Sequence, residues 1–204
     1  MIWDDRYSAP SFFYGTEPND FLREQEVRLP AEGRVLCLAE GEGRNAVWLA
    51  QRGFDVTAVD SSAVGLAKAR ALAADRGVRI STVTADLATW PIDAGKWDAI
   101  VSIWCHLPGA LRRKVHRQVV NALLPGGVLV LEAYTPAQLA FKTGGPPDPD
   151  MMPTLSLLRD ELAGLDFELA RECERTIHEG AGPMKRMPAA STERAKAAFS
   201  ERKP

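Results

Sequence analysis

From residue 34 onward, short apolar runs alternate with longer stretches of helical period. That order predicts a parallel sheet covered by helices on both faces. The first run is residues 34–39 (RVLCLA), followed by a glycine-containing turn at 40–44. Ala46, Val47, Leu49 and Ala50 then recur at helical spacing until Gly53 closes the helix. The unit repeats: residues 54–59 read as a strand, Ser61 or Ser62 caps an Ala-rich helix to Arg76, and Gly77 stops it. Residues 78–84 alternate apolar and polar, as a strand near a sheet edge does, whereas 99–104 (AIVSIW) has the dense apolar run of a central strand buried on both faces. A helix at 109–124, carrying Leu111, Val115, Val119 and Leu123, is broken by Pro125-Gly126-Gly127 before a fifth strand at 128–134.

Residues 135–153 are rich in Gly, Pro and Asp without any period, so they predict a loop near the carboxyl ends of the strands, where long loops are often functional. A short helix at 154–162 and a strand at 167–176 complete the recognisable pattern. The last 22 residues differ. They contain no Val or Ile, have prolines at 183 and 188, carry six Lys and Arg against two Glu, and offer helix-favouring residues after Ser191 or Thr192. The expectation is an irregular or partly helical tail, no regular seventh strand, and a fifth strand with an incompletely paired edge.

A length of 204 residues fits one domain, here residues 1–182, with 1–30 as an N-terminal lid segment and 183–204 as an atypical basic tail. With 46% apolar and 25% charged residues the chain is ordinary for a globular protein, which excludes wholesale disorder and a coiled-coil rod. The formal charge of -2 argues against nonspecific nucleic-acid binding. Cys37, Cys105 and Cys173 are widely spaced, with no partner at metal-ligand spacing, and read as reduced thiols. The acidic N-terminus lacks a signal-peptide pattern and no apolar stretch is long enough to span a membrane, so the expected location is cytoplasmic.

In open parallel sheets, ligands bind beyond the carboxyl ends of strands where the strand order reverses. The turn there, Glu40-Gly41-Glu42-Gly43-Arg44-Asn45-Ala46, satisfies G-x-G-x-x-A, and Asp60 ends the next strand 17 residues after Gly43. Both features also suit a nicotinamide dinucleotide. A pyrophosphate at the helix N-terminus would be repelled by Glu40 and Glu42, whereas the sulfonium and ammonium groups of S-adenosylmethionine would not. Asp60 remains available for ribose hydroxyls with either ligand.

The wider pattern resembles the class I S-adenosylmethionine-dependent methyltransferases, in particular the small bacterial group related to tellurite-resistance methyltransferases. The motifs are WDDRY at 3–7, YGTEPNDFL at 14–22, LAEGEGRNAVWLA at 38–50, TAVDSSAVGLAKA at 57–69, ADL at 85–87, WDAIVSIWCHLP at 97–108, LPGG at 124–127 and TGGP at 143–146. The resemblance implies a doubly wound, mostly parallel Rossmann-like α/β sheet. It implies that Ala39, Glu40, Gly41 and Gly43 hold the methionine part of the cofactor, that Asp60 and Ser61 meet the ribose, that Asp86 and Leu87 read the adenine, and that Ser102 lies beside the sulfonium. Two positions depart from the pattern: Cys37 stands where an acidic residue is usual and Ala39 where the first glycine is. The methyl group of Ala39 is tolerable if its backbone angles are ordinary.

At the acceptor end, His106 follows the fourth strand, where it either takes a proton from an incoming nucleophile or merely caps the next turn. Tyr7 and Tyr14 either close over the cofactor or simply bury area, and Arg6 is a candidate to position an anionic acceptor. His116 reads as surface, and Trp48, Trp90 and Trp97 as packing. The expected function is methylation of a small molecule, with a thiol or chalcogen oxyanion suggested by the resemblance, without metal, nucleic acid or membrane, by a monomer or weak dimer. The rivals are an NAD(P)-dependent oxidoreductase and a noncatalytic S-adenosylmethionine-binding module. The segment after the fourth strand, residues 103–108, lacks the Asn or Asp with paired prolines typical of exocyclic-amine methylation.

Overall fold

A computed structural model of the chain describes residues 2–142, 145–177, 185–187 and 192–196. Its strands are β1 (Arg34–Leu38), β2 (Asp55–Asp60), β3 (Ser81–Thr84), β4 (Trp97–Ile103), β5 (Leu123–Glu132), β6 (Asp166–Arg171), β7 (Arg175–Ile177), β8 (Lys185–Met187) and β9 (Thr192–Lys196). One sheet runs in the order β3, β2, β1, β4, β5, β9, β6, while β7 and β8 pair separately. Strands β1 to β5 are mutually parallel, and β9 is antiparallel to both β5 and β6. The order reverses between β1 and β4, the place where such sheets bind ligands.

The helices are α1 (Ile2–Tyr7), α2 (Asp20–Gln25), α3 (Arg44–Gln51), α4 (Ala63–Asp75), α5 (Gly109–Ala122) and α6 (Leu155–Glu161). Successive strand residues face opposite sides of a sheet, so the continuous apolar runs feed two cores. Val35, Cys37, Val56, Ala58, Ala99 and Val101 pack with Phe21, Leu22, Ala46, Leu49 and Leu66 on the face covered by α2, α3 and α4. Leu36, Leu38, Val59, Ile100, Leu129 and Leu131 pack with Val115, Val119, Leu158 and Leu162 beneath α5 and α6. Each fully buried Leu contributes about 1.5–3 kcal/mol. Strand β3 is only half covered, as befits an edge.

Two expectations are corrected. The seventh strand exists: β9 lies between β5 and β6, with Val128 opposite Lys196 and Glu132 opposite Thr192. The edge of β5 is therefore paired. Helix propensity amounts to less than about 0.7 kcal/mol per ordinary residue, and here it yields to two ladders of otherwise unsatisfied backbone groups, which need no apolar pattern to form. The rest of the tail, residues 183–184, 188–191 and 197–204, lies outside the described residues.

His116 is the second correction, since it is buried rather than exposed. It pairs through Nδ1 with Glu161 Oε2 at 2.7 Å, and Arg112, one turn earlier on α5, donates to Glu161 through Nε at 3.1 Å and Nη2 at 3.0 Å. Arg112 also donates to the Asp150 carbonyl, and the Asp150 carboxylate accepts the Gly109 N–H at 2.6 Å. The loop after β5 is thereby tied to the start of α5. It holds two short 3-10 turns, Pro136–Ala140 and Pro149–Met151. Among the described residues, no helix is long and apolar enough to cross a membrane.

Candidate functional site

The turn from β1 into α3 reverses direction through left-handed backbone at Ala39 (φ +49°), Gly41 (φ +63°) and Gly43 (φ +89°). Gly43 is fixed by sterics as well, because a Cβ there would come within 2.5 Å of the Ala69 Cβ on α4. Ala39 does not have ordinary angles, and an L-residue in this region is strained by about 1–2 kcal/mol. Ala39→Gly is therefore expected to stabilise the chain by about 0.5–1 kcal/mol after the greater freedom of glycine in the unfolded state is offset. A lower urea midpoint in Ala39→Gly would show that the methyl group is needed for packing.

Three residues beyond Cys37, the turn carries the carboxylate of Glu40. Its Oε1 accepts the N–H groups of Asn45 at 2.9 Å and Ala46 at 2.8 Å, satisfying the first turn of α3. The Cys37 thiol hydrogen-bonds to Glu40, and burial pushes that thiol upward. Burial also raises the Glu40 carboxyl to about 7, against the opposing pull of the two N–H bonds and Arg44. Glu42 is engaged too. Its Oε2 accepts the Phe13 N–H at 2.7 Å, and its Oε1 pairs with Lys68 on α4. Both carboxylates are thus bonded within the protein, Glu40 to the start of α3 and Glu42 to Lys68 and Phe13, rather than left unpartnered at the turn.

Asp60 ends β2 and is buried, with Oδ2 accepting the Gly41 N–H at 2.8 Å and Oδ1 the Ser62 N–H at 2.7 Å. Burial raises its carboxyl, while the N–H bonds from Ser62 and Gly41 act in the other direction. Asp60 braces the glycine turn, a role that its sequence position did not reveal. Ser62 rather than Ser61 caps α4, accepting the Gly65 N–H at 3.0 Å and donating its hydroxyl to Asp4 at 2.6 Å. Asp86, just beyond β3, is exposed and accepts the Ala88 N–H at 2.8 Å, with Leu87 buried beside it. Ser102 is buried near the end of β4. The residues expected around a cofactor therefore stand at the carboxyl ends of four adjacent strands, in the order β3, β2, β1, β4.

The acceptor end is aromatic. Trp104 holds φ +57° and stacks on Tyr134 with centroids 4.4 Å apart, and His106 lies parallel to Tyr134 at 5.2 Å. His106 Nε2 accepts the Tyr134 N–H at 3.1 Å, so the lone pair that a base would use is engaged. Burial pushes His106 down to about 4, outweighing a hydrogen bond to the Trp104 backbone. Cys105 is pushed up to about 12, again by burial. At neutral pH both groups are uncharged.

In the N-terminal segment it is Tyr7, not Tyr14, that reaches the glycine turn. A Cβ on Gly41 would lie 2.6 Å from its hydroxyl. Burial, together with the nearby Asp60 carboxylate, raises Tyr7 well above the ordinary phenol range. Tyr14 packs edge-on against Phe13 at 4.8 Å and under the Arg44 guanidinium at 5.8 Å. The Arg6 guanidinium is exposed and lies over the rings of Trp3 at 4.6 Å and Phe13 at 5.1 Å. Lys68 and Asn19 lie within the stretches 57–69 and 14–22, but nothing in those stretches showed that Lys68 holds this segment or that Asn19 pairs with Glu132. Only the tertiary fold brings them together.

The sheet and its strand order are those of the Rossmann-like class I methyltransferases. Residues 35–127 match the family model described as a methyltransferase domain. A glycine/sarcosine N-methyltransferase from Halorhodospira halochloris is 34% identical over 135 residues, covering 64% of this chain and 47% of that protein. The chain spans about half the length of the curated relatives it matches. TehB from Haemophilus influenzae superposes with a TM-score of 0.70 at 20% identity over 87% of this chain and 61% of that one. A protein solved in a study of disulfide-to-thioacetal conversion during echinomycin biosynthesis superposes at 0.76 and 20% identity over 98% and 93%.

Proposed function

We propose that this protein transfers a methyl group from S-adenosylmethionine to a small molecule whose nucleophile is ionised, or ionises without a protein base, near neutral pH, a chalcogen oxyanion or a thiol. The observation that carries the cofactor reading is the row of Asp86, Asp60, Gly41 and Ser102 at the ends of four adjacent strands around the strand-order reversal. Asp60 would take the ribose hydroxyls on lone pairs not used by Gly41 and Ser62. Asp86 and the Leu87 backbone would face the adenine, with Ala39, Glu40, Gly41 and Gly43 against the methionine part and Ser61 and Ser102 alongside. The cofactor supplies a methyl carbon activated by its sulfonium, so alignment of the nucleophile supplies much of the remaining catalysis.

His106 favours the ionised acceptor class. With Nε2 engaged by Tyr134 and its affinity for protons depressed, it orients the end of β4 instead of removing a proton. A thiol, with an ordinary pKa of about 8.5, ionises without help far more readily than an ammonium of lysine type. Arg6, fixed between two rings at the outer face of α1, would steer an anionic acceptor, and Tyr14 would contribute to the N-terminal cover.

Calorimetry against S-adenosylmethionine, S-adenosylhomocysteine, NADH and NADPH tests the cofactor, and turnover with thiols, selenite, tellurite, glycine and sarcosine tests the acceptor. Binding of a nicotinamide cofactor alone would overturn the reading. Binding without turnover on any acceptor would favour a noncatalytic module. Asp60→Ala is expected to weaken S-adenosylmethionine binding by about 1.5–3 kcal/mol, roughly tenfold to somewhat over a hundredfold. Unchanged affinity in the folded variant would remove Asp60 from the ribose role.

A further inference from the structure

The bonds that hold residues 2–14 on the glycine turn converge on one side chain. Lys68 Nζ donates to the carbonyl oxygens of Ser11 at 2.7 Å, Ala9 at 2.9 Å and Tyr7 at 3.3 Å, and it also pairs with Glu42. An ammonium has three protons. Four acceptors therefore saturate it, with the Tyr7 carbonyl the weakest partner. Tyr7 itself is seated where two glycines leave room: a Cβ on Gly41 would come within 2.6 Å of its hydroxyl, and one on Gly65 within 2.8 Å of its ring.

Two further tethers of the segment are also polar. Asp4 accepts the Ser62 hydroxyl at 2.6 Å, and the Phe13 N–H donates to Glu42 at 2.7 Å. The large apolar side chains Trp3 and Phe13 remain 37% and 47% exposed. The segment's apolar burial comes from Tyr7, 5% exposed, and from Phe12, packed against Val47, Leu72 and Ala73; its other ties are polar bonds that water can replace, as in regions that open locally. The next stretch is anchored differently. Asn19 is fully buried, its N–H donating to Asn45 Oδ1 at 2.9 Å, its amide to Glu132 Oε2 at 2.7 Å, and its Oδ1 capping α2. Gly15, at φ +76°, lies between the two regimes.

We propose that residues 2–14 form a lid that turns about Gly15 on the fixed anchor Asn19, and that Lys68 is the positioning residue that latches it to Glu42 of the glycine turn. What the lid covers, the methionine end of the cofactor, rests on the methyltransferase reading; the latch does not. A closed lid places Tyr7 over Gly41. An open one clears the turn while Lys68 keeps its ion pair with Glu42.

Lys68→Met and Lys68→Arg test this by two readouts. Amide exchange in the ligand-free protein should be about tenfold faster at residues 3–13 in Lys68→Met, the effect of losing one net charged hydrogen bond, and unchanged at residues 19–25. Stopped-flow tryptophan fluorescence should show S-adenosylhomocysteine associating and dissociating faster, the dissociation by a similar factor, and Lys68→Arg should restore both in part. Lys68→Gln carries the same readouts if Lys68→Met does not fold. Unchanged exchange at residues 3–13 overturns the latch. Faster exchange with unchanged dissociation overturns its control of the cofactor site. Failure of the unmodified protein to bind S-adenosylhomocysteine overturns the methyltransferase reading instead, and the exchange result still decides the latch.

Discussion

Glu161→Ala is expected to lower the stability of the folded chain by about 3–5 kcal/mol at pH 7, the cost of leaving a buried charge without its partner. The stranded group is Arg112, 2% exposed, whose Nε and Nη2 both donate to the lost carboxylate. His116 loses its partner in the same step. Burial alone would raise the Glu161 carboxyl, but the hydrogen bonds from His116 and Arg112 prevail and hold it below its ordinary range. The sign of the pH dependence follows. A depressed carboxylate contributes stability above its unfolded value near 4.5, and that contribution is lost as pH falls through the folded value. The gap between the native chain and Glu161→Ala should therefore narrow in acid.

Urea unfolding at pH 7 checks the magnitude, and a loss below about 1 kcal/mol would mean that Arg112 finds water or another acceptor when Glu161 is removed. A variant that replaces the whole cluster, Arg112→Met and His116→Leu with Glu161→Leu, should recover much of the loss, because replacing a whole buried charged network by apolar groups is often neutral. The consequence reaches the site. Arg112 also holds the Asp150 carbonyl in the loop after β5, and that loop carries Met152, which packs with Tyr134 and Trp104 at the acceptor end.

How far the sequence could be read differs from element to element for physical reasons. Strands β1, β2 and β4 are buried on both faces, and that demand writes itself into the chain as continuous apolar runs, so they were legible to within a residue or two. Strand β9 was not, because its place is held by backbone ladders on two sides and Thr192-Glu193-Arg194-Ala195-Lys196 satisfies them without any apolar pattern. At the candidate site, the tight turn at Gly41 and Gly43 and the strand-end place of Asp60 were legible because both are local features. The backbone angle of Ala39 was not, nor was the partner of His106, a main-chain N–H 28 residues away. The burial of His116 had one local trace, its spacing of four from Arg112 on a single helix face. Even that trace left their common partner, Glu161, to be found in space.

Glu40→Gln should make the chain more stable than the native protein at pH 8 by about 2–3 kcal/mol, with most of the difference gone at pH 5. Glu40 is raised to about 7 by burial, whereas in the unfolded chain it titrates near its ordinary 4.5. Between those values the folded state binds a proton that the unfolded state has released. Stability from this group is therefore full below pH 4.5 and falls as pH rises through 7. Glutamine resembles the protonated acid: it is neutral, and its Oε1 can still accept the Asn45 and Ala46 N–H groups that Glu40 holds at the start of α3. Because other carboxyls also titrate, Asp60 upward and Glu161 downward, the difference between the two proteins at each pH isolates Glu40. Unfolding curves at pH 5, 6, 7 and 8 supply it. A constant difference across that range would show that Glu40 is already ionised at pH 5, which would mean that the two N–H bonds and Arg44 outweigh its burial.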